Sequence, residues 1–275
     1  MVRGTFVVAA ALLAVTVAVA GCGGSGAAPT TTTIRQLRQF RIVFPEGFVR
    51  VQMAARVQAV AKIARRESRR KVRLSRAAYL AATARPRLVP GFGHKRLPLE
   101  GFLFPDTYDF DRKSTSAQLV QEQLQEFDSK WSAVNLSYAR SKHLTPYDVL
   151  TIASMIEKEA VAPGDRAKVA RVIYNRLHLG MTLGIDATIR YALHIPGTKS
   201  LTQSDLANPT PYNTRLHAGL PPTPIANPGL ASIQAAAHPA AGPWLYFVAS
   251  PDKVHSFFTA SAEAFNQYKA THGYG

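Results

Sequence analysis

The chain contains one cysteine, Cys22, at the end of an apolar N-terminal stretch. One cysteine excludes an internal disulfide framework and a zinc site built on several thiolates, so packing must hold the fold together. Residues 5–20 are apolar or small and follow Arg3, which is typical of a secretory signal, whereas the run is short for a membrane-spanning helix. We therefore expect an exported protein whose fold begins after this stretch.

The residues around Cys22 predict how the protein is held at its destination. "VAGC", residues 19–22, resembles the bacterial lipobox, in which the cysteine becomes the lipid-modified N-terminus. Residues 1–22 are accordingly predicted to be a lipoprotein-type signal or, if uncleaved, a membrane anchor. Residues 23–39 are rich in Gly, Ser, Pro and Thr at their start and predict a flexible linker.

Positive charge is concentrated in the first part of the chain. Residues 1–100 carry 18 Lys and Arg against 3 Asp and Glu, whereas residues 101–275 carry 15 against 14. The densest cluster lies between Ala64 and Arg76, and its charges favour an anionic partner. Because an exported chain has little access to nucleic acid, anionic lipid or wall polymer is the expected partner, unless the cluster is a solvated helix face.

The apolar periodicity predicts an α+β fold, with a mixed helical and short-strand main domain. Helices are expected near residues 49–64, 75–84, 115–131, 145–160 and 165–178, with a last one at 261–271. A long proline-rich loop spans 208–229, and a C-terminal β-hairpin is expected between 244 and 259. We place a small basic N-terminal subdomain at 40–96 and the main domain at 97–275.

Acid–base chemistry by carboxylates is the catalytic chemistry that the residue types favour. The sequence has neither the H-E-x-x-H motif of a zinc enzyme nor the G-x-S-x-G turn of a serine hydrolase. Glu157 and Glu159 interrupt an apolar helix, on opposite edges of its buried face and about 160° apart. Periodicity does not decide which of them is functional, or whether both are ordinary helix-edge charges.

Five blocks in a fixed order resemble the YceG-like endolytic murein transglycosylases, the MltG family. An upstream "FPEG", residues 44–47, resembles the segment that opens the family's shared region. The resemblance covers roughly residues 97–275. The blocks are "ASMIEKEA" (153–160), "RVIYNRLHLGMTLGIDATIRYAL" (171–193), "PTPYNTRLHAGLPPTPIANPG" (209–229), "AAAHPA" (235–240) and "WLYFVA" followed by "HSFF".

The resemblance implies an enzyme that cuts peptidoglycan strands between N-acetylmuramic acid and N-acetylglucosamine and leaves 1,6-anhydromuramyl ends. It implies no cofactor and no metal. The family's catalytic carboxyl corresponds to Glu159, which would act first as general acid and then as base. Glu157 remains a possible second carboxylate. The implied substrate-binding residues are Asn175, Arg176, Asp186, Tyr212, Asn213, Thr214 and His255.

Two other functions stay open at this stage. Asp186 could assist water, which would make the protein a hydrolytic muramidase. A non-catalytic envelope lipoprotein that binds peptidoglycan is the second alternative. In every case we expect the extracytoplasmic face of the membrane as the location and peptidoglycan strands as the partner. Cell-wall synthases are further candidate partners, and no nucleic acid is expected.

Overall fold

A computed structural model describes residues 38–273 of the chain. The predictions for residues 1–22, including lipidation of Cys22, and for nearly all of the 23–39 linker lie outside the described residues. Gln39–Gly275 form one compact unit. Both hydrophobic cores described below are built from residues of this unit.

The unit mixes helices with short strands. A 3₁₀ turn at Pro163–Asp165 precedes the helix that begins at Arg166. In chain order the elements are β1 (Phe40–Val43), α1 (Arg50–Ser68), α2 (Arg76–Thr83), β2 (Thr107–Phe110), α3 (Ser116–Ser132), α4 (Ser137–Ser141), α5 (Pro146–Glu159), α6 (Arg166–His178), α7 (Asp186–Ala192), α8 (Gln203–Leu206), α9 (Leu230–Ala237), β3 (Tyr246–Ala249), β4 (Ser256–Thr259) and α10 (Ala262–Thr271).

The N-terminal core forms where α1, α2 and α3 pack beside a two-stranded sheet. β1 pairs antiparallel with β2, so that Phe40 faces Phe110. A polar contact lies inside this core, because the buried Tyr79 hydroxyl donates to Gln123 Oε1 at 2.6 Å. The remaining core positions are apolar, and they include Ile42, Phe44, Val57, Leu74, Leu99, Leu103 and Leu119.

The second core surrounds α5. This helix starts at a capping box in which Thr145 Oγ1 accepts from the Asp148 N–H at 3.2 Å, and Pro146 occupies its first turn. All residues from Val149 to Ile156 are buried, because α6 and α9 cover the helix. An almost fully apolar central helix of this kind must be enclosed by other elements.

A buried polar junction joins the segments around the two cores. The Asn227 Oδ1 accepts from the Gly101 and Leu103 N–H groups, both at 2.9 Å, and its amide donates to Glu100 Oε1 at 2.8 Å. Glu100 also accepts from the Arg50 N–H, at 2.9 Å. Burial raises the pKa of Glu100 to about 7.

The C-terminal hairpin packs beside the 3₁₀ turn. β3 and β4 are antiparallel, with Tyr246 opposite Thr259. The buried Asp165 carboxylate accepts from the Ser256 N–H at 2.7 Å and fixes the hairpin to the residues that follow α5. α10 covers the hairpin's outer side, where its Tyr268 stacks on Phe257 at a 4.1 Å ring separation.

The α+β class, the C-terminal hairpin and the six predicted helices are confirmed, each helix within a few residues of its predicted bounds. The β1–β2 pair and the short helices α4, α7, α8 and α9 were not predicted. In the part of the chain that the structure describes, no helix has the length and apolar character needed to cross a bilayer. The division at residue 96 stays a prediction.

Candidate active site

Glu159 is the last residue of α5 and lies at the start of a second helix, α7. The residue is partly buried, and its carboxyl group lies close enough to the Ala187 backbone N–H for this group to lower its pKa. Ala187 lies in the first turn of α7, where backbone N–H groups have no partners within the helix. Two ends of helices therefore meet at this carboxyl group.

The surroundings of Glu159 favour its protonated form near neutral pH. Burial and the negative charge of Asp186 raise the pKa of Glu159 to about 7. The Ala187 N–H and the positive charges of Arg190 and Arg215 lower this pKa, but they do not cancel the effect of burial. A carboxyl group with such a pKa can donate a proton and take it back at neutral pH.

Asp186 begins α7 and forms an ion pair with Arg215. The Arg215 Nε donates to Asp186 Oδ1 at 2.6 Å, and both side chains are about two-fifths exposed. The pKa of Glu159 thus depends on the charges of three neighbours at this site. These are the Asp186 carboxylate and the guanidinium groups of Arg190 and Arg215.

The start of α7 is fixed by a strand-like contact with the proline-rich loop. Thr214 is buried, and its Oγ1 accepts from the Ile185 N–H at 3.0 Å while its carbonyl accepts from the Gly184 N–H at 2.8 Å. The Thr188 and Thr214 hydroxyls are 3.1 Å apart. These bonds hold the backbone that presents Ala187 to Glu159.

Arg176 and Asn175 tie α6 to the hairpin segment. The Arg176 guanidinium donates to the carbonyls of Leu245, at 2.6 Å, and Leu183, at 2.7 Å. The Asn175 amide donates to the carbonyls of Gly242 and Trp244, at 3.1 and 2.8 Å. Both side chains thus bond within the protein, and the contact with substrate predicted for each of them stays a prediction.

Tyr212 and Asn213 also bond within the protein. The Tyr212 hydroxyl is 2.8 Å from Thr223 Oγ1 across the loop. Asn213 is fully buried, and its amide donates to the Leu206 and Asn208 carbonyls, at 2.9 and 2.8 Å. Both residues shape the loop that carries Thr214 and Arg215. The sugar contacts predicted for Tyr212, Asn213 and Thr214 stay predictions.

Glu157 points to a different part of the molecule from Glu159. Its Oε2 accepts from the Gly229 N–H at 3.1 Å and from the Ser232 hydroxyl at 2.7 Å, at the start of α9. A carboxylate in this position satisfies free N–H groups and stabilises the helix. A Cβ at position 229 would overlap the neighbouring Glu46 carboxylate, so this side chain would have to move.

His255 lies in the hairpin turn, near the chain that follows α5. The Ala162 N–H donates to the Val254 carbonyl at 3.1 Å, which places the turn three residues beyond Glu159. The exposed His255 ring bonds to Asp252 Oδ2 at 2.8 Å, and this carboxylate raises the pKa of His255. The contact of His255 with substrate stays a prediction.

Within residues 38–273, no three His, Cys, Asp or Glu side chains come together as a metal site requires.

The chain matches the YceG-like family over residues 25–271. It belongs to the YceG-like family. The endolytic murein transglycosylase of Bacillus subtilis strain 168 is 37% identical over 172 residues, which are 62% of this chain and 47% of that protein. The enzyme of the same name in Streptococcus pneumoniae strain R6 is 35% identical over 181 residues, 64% of this chain and 33% of its own length. The chain therefore spans less than half the length of these relatives.

A solved structure supports the same assignment. The crystal structure of a yceG-like protein from Listeria monocytogenes is 31% identical and covers 82% of this chain and 75% of its own, with a TM-score of 0.67. This YceG-like chain therefore shares its fold with a member studied by crystallography. The resemblance drawn from the five sequence blocks is confirmed at the level of the family.

Sequence reasoning missed three groups that contribute to the site. Arg190 and Arg215 were not selected, although Arg190 follows Asp186 by one helical turn and Arg215 directly follows Thr214 in a quoted block. The Ala187 N–H has no side-chain signal. The start of α7 could have indicated it, because an acidic residue at the first helical position is common where N–H groups are free.

Proposed function

We propose that this YceG-like protein is an endolytic lytic transglycosylase that cleaves peptidoglycan strands and leaves 1,6-anhydromuramyl ends. The observation that carries the proposal is the single carboxyl group of Glu159, whose pKa of about 7 suits both donation and recovery of a proton. The names of the two relatives support the same reaction. The enzyme uses no cofactor in this proposal.

Glu159 acts twice in the proposed reaction. It first donates its proton to the glycosidic oxygen, and the bond from this oxygen to C1 of the muramyl sugar breaks. The C6 hydroxyl of the same sugar then attacks the positively charged C1, and its proton passes to the Glu159 carboxylate. The acid is thereby restored, no water is consumed, and the sugar supplies its own nucleophile.

Asp186 is proposed to act by raising the pKa of Glu159. Its negative charge acts on Glu159, as the second largest cause of the raised pKa. Its pairing with Arg215 at 2.6 Å supports this electrostatic role over attack on the sugar. A hydrolytic muramidase would instead need a second carboxylate free to position water, and Asp186 is its candidate.

We propose that the protein acts on the outer face of the cell membrane. The apolar run at 5–20 and the "VAGC" segment support an anchor formed by lipid on Cys22 or by the uncleaved segment. Cell-wall synthases are the proposed partners. Mass spectrometry of the N-terminal peptide tests the anchor, because a lipid-modified Cys22 and an intact Met1 give different masses.

Product analysis is the decisive experiment for the reaction. Purified peptidoglycan strands are digested with the wild-type protein and with Glu159→Gln, and the released sugars are identified by mass spectrometry. The wild type should give internal cuts with anhydromuramyl ends, and Glu159→Gln should reduce their formation at least about 100-fold. Glu122→Gln, an exposed carboxyl on α3, serves as the matched control and should retain activity.

The other outcomes point to the alternatives. Reducing ends from the wild type would mean hydrolysis and would promote Asp186 to a second catalytic group. Strands that bind to the wild type but stay uncut would favour a non-catalytic envelope lipoprotein. Equal activity of Glu159→Gln and the wild type would contradict the role of Glu159.

A further inference from the structure

The region from α1 to α2 presents a strongly basic surface. Residues 62–76 contain eight Lys and Arg and one carboxylate, that of Glu67. The eight cationic residues are all exposed, whereas Ala64, Val72 and Leu74 are buried in the N-terminal core and Ile63 is exposed. The cationic side chains of this segment therefore face solvent, whereas Val72 and Leu74 face the core. The exposed cations are Lys62, Arg65, Arg66, Arg69, Arg70, Lys71, Arg73 and Arg76.

A second segment, distant in sequence, adds positive charge at the same place. The Arg73 N–H donates to the Arg112 carbonyl at 3.3 Å, and Ser75 and Ser116 exchange hydrogen bonds at 3.2 Å. Arg112 and Lys113 are both exposed. The one carboxylate in this second segment, Asp111, accepts N–H groups of its own turn. We call the cations of 62–76 together with Arg112 and Lys113 the basic face.

The polypeptide enters the compact unit beside this face. Phe40, the first residue of β1, pairs with Phe110, which is two residues before Arg112, and their rings stack at 5.6 Å. The predicted linker of residues 23–39 therefore ends next to the basic face. If residues 23–39 form the predicted flexible linker, their r.m.s. span is roughly 20–25 Å, which would leave the basic face within reach of a membrane that holds residues 1–22.

Acidic residues lie farther along α3. An open groove of about 370 Å³ is lined by Asp106, Glu122 and Glu126, among others. Glu122 and Glu126 are six and ten residues beyond Ser116, roughly 9–15 Å along the helix. An anionic surface would attract the basic face and repel the groove, so one orientation of the unit would be favoured.

We propose that the basic face docks onto anionic phospholipid headgroups of the membrane from which the protein is suspended. Each Lys or Arg near such a surface contributes favourable binding, and several of them can supply the second signal that a single lipid chain needs for stable attachment. The entry of the chain at this face favours the bilayer over a wall polymer. The proposal concerns binding alone and does not depend on the reaction proposed for Glu159.

Vesicle sedimentation tests the docking. The compact unit Gln39–Gly275 is mixed with vesicles of phosphatidylcholine alone or with 30% phosphatidylglycerol, which avoids binding through residues 1–22. It should sediment only with the anionic vesicles and be released by 1 M NaCl. Arg66→Glu, Arg70→Glu and Arg112→Glu together should weaken binding about 100-fold or more. These three side chains are exposed and form no part of the candidate active site.

A matched variant separates this face from overall charge. Arg140→Glu, Lys199→Glu and Lys253→Glu change the net charge equally at exposed positions outside the basic face, and this variant should bind nearly as well as the wild type. Circular dichroism verifies that both triple variants are folded. Equal losses in the two variants, or equal binding to both vesicle types, would overturn the proposal. Binding to soluble polyphosphate without binding to vesicles would also overturn it, in favour of a wall polymer.

Discussion

Two carboxyl groups that are two residues apart on α5 have different surroundings. Glu157 accepts hydrogen bonds at the start of α9, whereas Glu159 meets the start of α7 and the charge of Asp186. The pKa of Glu159 is raised because burial disfavours its charged form more than the Ala187 N–H and the two arginines favour it. The chemistry of each carboxyl group is thus set by the helix end that it faces.

Asp186→Asn should move the alkaline limb of the pH–rate profile to lower pH. The negative charge at 186 raises the pKa of Glu159, so its removal lets Glu159 lose its proton earlier as the pH rises. Above pH 7 the rate of strand cleavage should fall roughly 3- to 10-fold, with little change near pH 5.5. A loss of about 100-fold or more at every pH would instead identify Asp186 as a base or nucleophile.

Glu159→Gln should make the protein more stable than the wild type at alkaline pH. The pKa of Glu159 is about 7 in the folded protein and close to the ordinary 4.5 when unfolded. The folded state therefore binds the proton more tightly, and this stabilisation is lost as the pH rises from about 4.5 to 7. Glutamine does not ionise and does not lose this stabilisation. At pH 8 the free energy of unfolding of Glu159→Gln should therefore exceed that of the wild type by about 1–2 kcal/mol, after allowance for partial exposure.

Urea unfolding at pH 5 and pH 8 measures this difference. Asp128→Asn, an exposed carboxyl on α3, provides the control, since its free energy of unfolding should follow that of the wild type. If the free energies of unfolding of Glu159→Gln and the wild type differ by the same amount at both pH values, the pKa of Glu159 is not raised in the folded state.

At the scale of elements, the junction around Asn227 connects loops that are far apart in sequence. Its side chain bonds to the Gly101 and Leu103 N–H groups, the Phe48 carbonyl and Glu100. Gly101, Leu103 and Glu100 are buried, and Phe48 is partly buried. The junction joins the start of α1 to the loop that precedes α9.

Asn227→Ala should lower the free energy of unfolding by about 3 kcal/mol or more. Each buried donor or acceptor that loses its partner costs roughly 1–3 kcal/mol, and several lose one here. Asn135→Ala is the matched control, because Asn135 is exposed and accepts one bond, from the Ser137 N–H. Urea unfolding of both variants tests the prediction, and a loss under about 1 kcal/mol for Asn227→Ala would contradict it.

Local signals made most of the helices predictable. Thr145 and Pro146 mark the start of α5 because they satisfy and pre-form its first turn, and Ser75 caps α2 in the same way. α9 has no such signal, since half of Leu230–Ala237 is alanine, five of its eight residues are buried, and no side chain caps its start. The β1–β2 pair joins four-residue strands more than sixty residues apart, and pairing of this kind leaves no local pattern.

The candidate site was predictable in part. The resemblance selected Glu159, which helical periodicity alone did not distinguish from Glu157. Arg215 pairs with Asp186 across 29 positions, and the hydrogen bonds of Thr214 to Gly184, Ile185 and Thr188 bring the two segments together. The site depends on where α7 begins in space, and no spacing within α5 contains that information.

At the scale of the whole molecule, the two cores share elements across the predicted division at residue 96. Leu99, Leu103, Phe110 and Leu119 follow this position in sequence but pack in the N-terminal core. The junction of Glu100 and Asn227 adds polar contacts between the same regions. The parts at 40–96 and 97–275 are therefore expected to depend on each other.

A fragment of residues 97–275 should fail to fold cooperatively, whereas residues 39–275 should unfold in a single transition. Removal of 40–96 would expose the apolar partners left on α3 and on the loop before β2, and the Glu100 carboxyl would lose the Arg50 N–H. Calorimetry of the two fragments measures this. A sharp transition of the shorter fragment would establish an independent domain.

Helix α1 runs from the region beside Glu159 to the basic face, so its length sets the separation of these two features. Its first turn follows Gly47, whose carbonyl accepts from Lys158 Nζ at 3.3 Å, next to Glu159. Its last turn carries Arg65 and Arg66 of the basic face. Nineteen residues span about 28 Å. If the basic face rests on the bilayer, the length of α1 sets the greatest height above the lipid at which Glu159 can cut a glycan strand. Each helical turn inserted into α1 would raise this greatest height by about 5 Å.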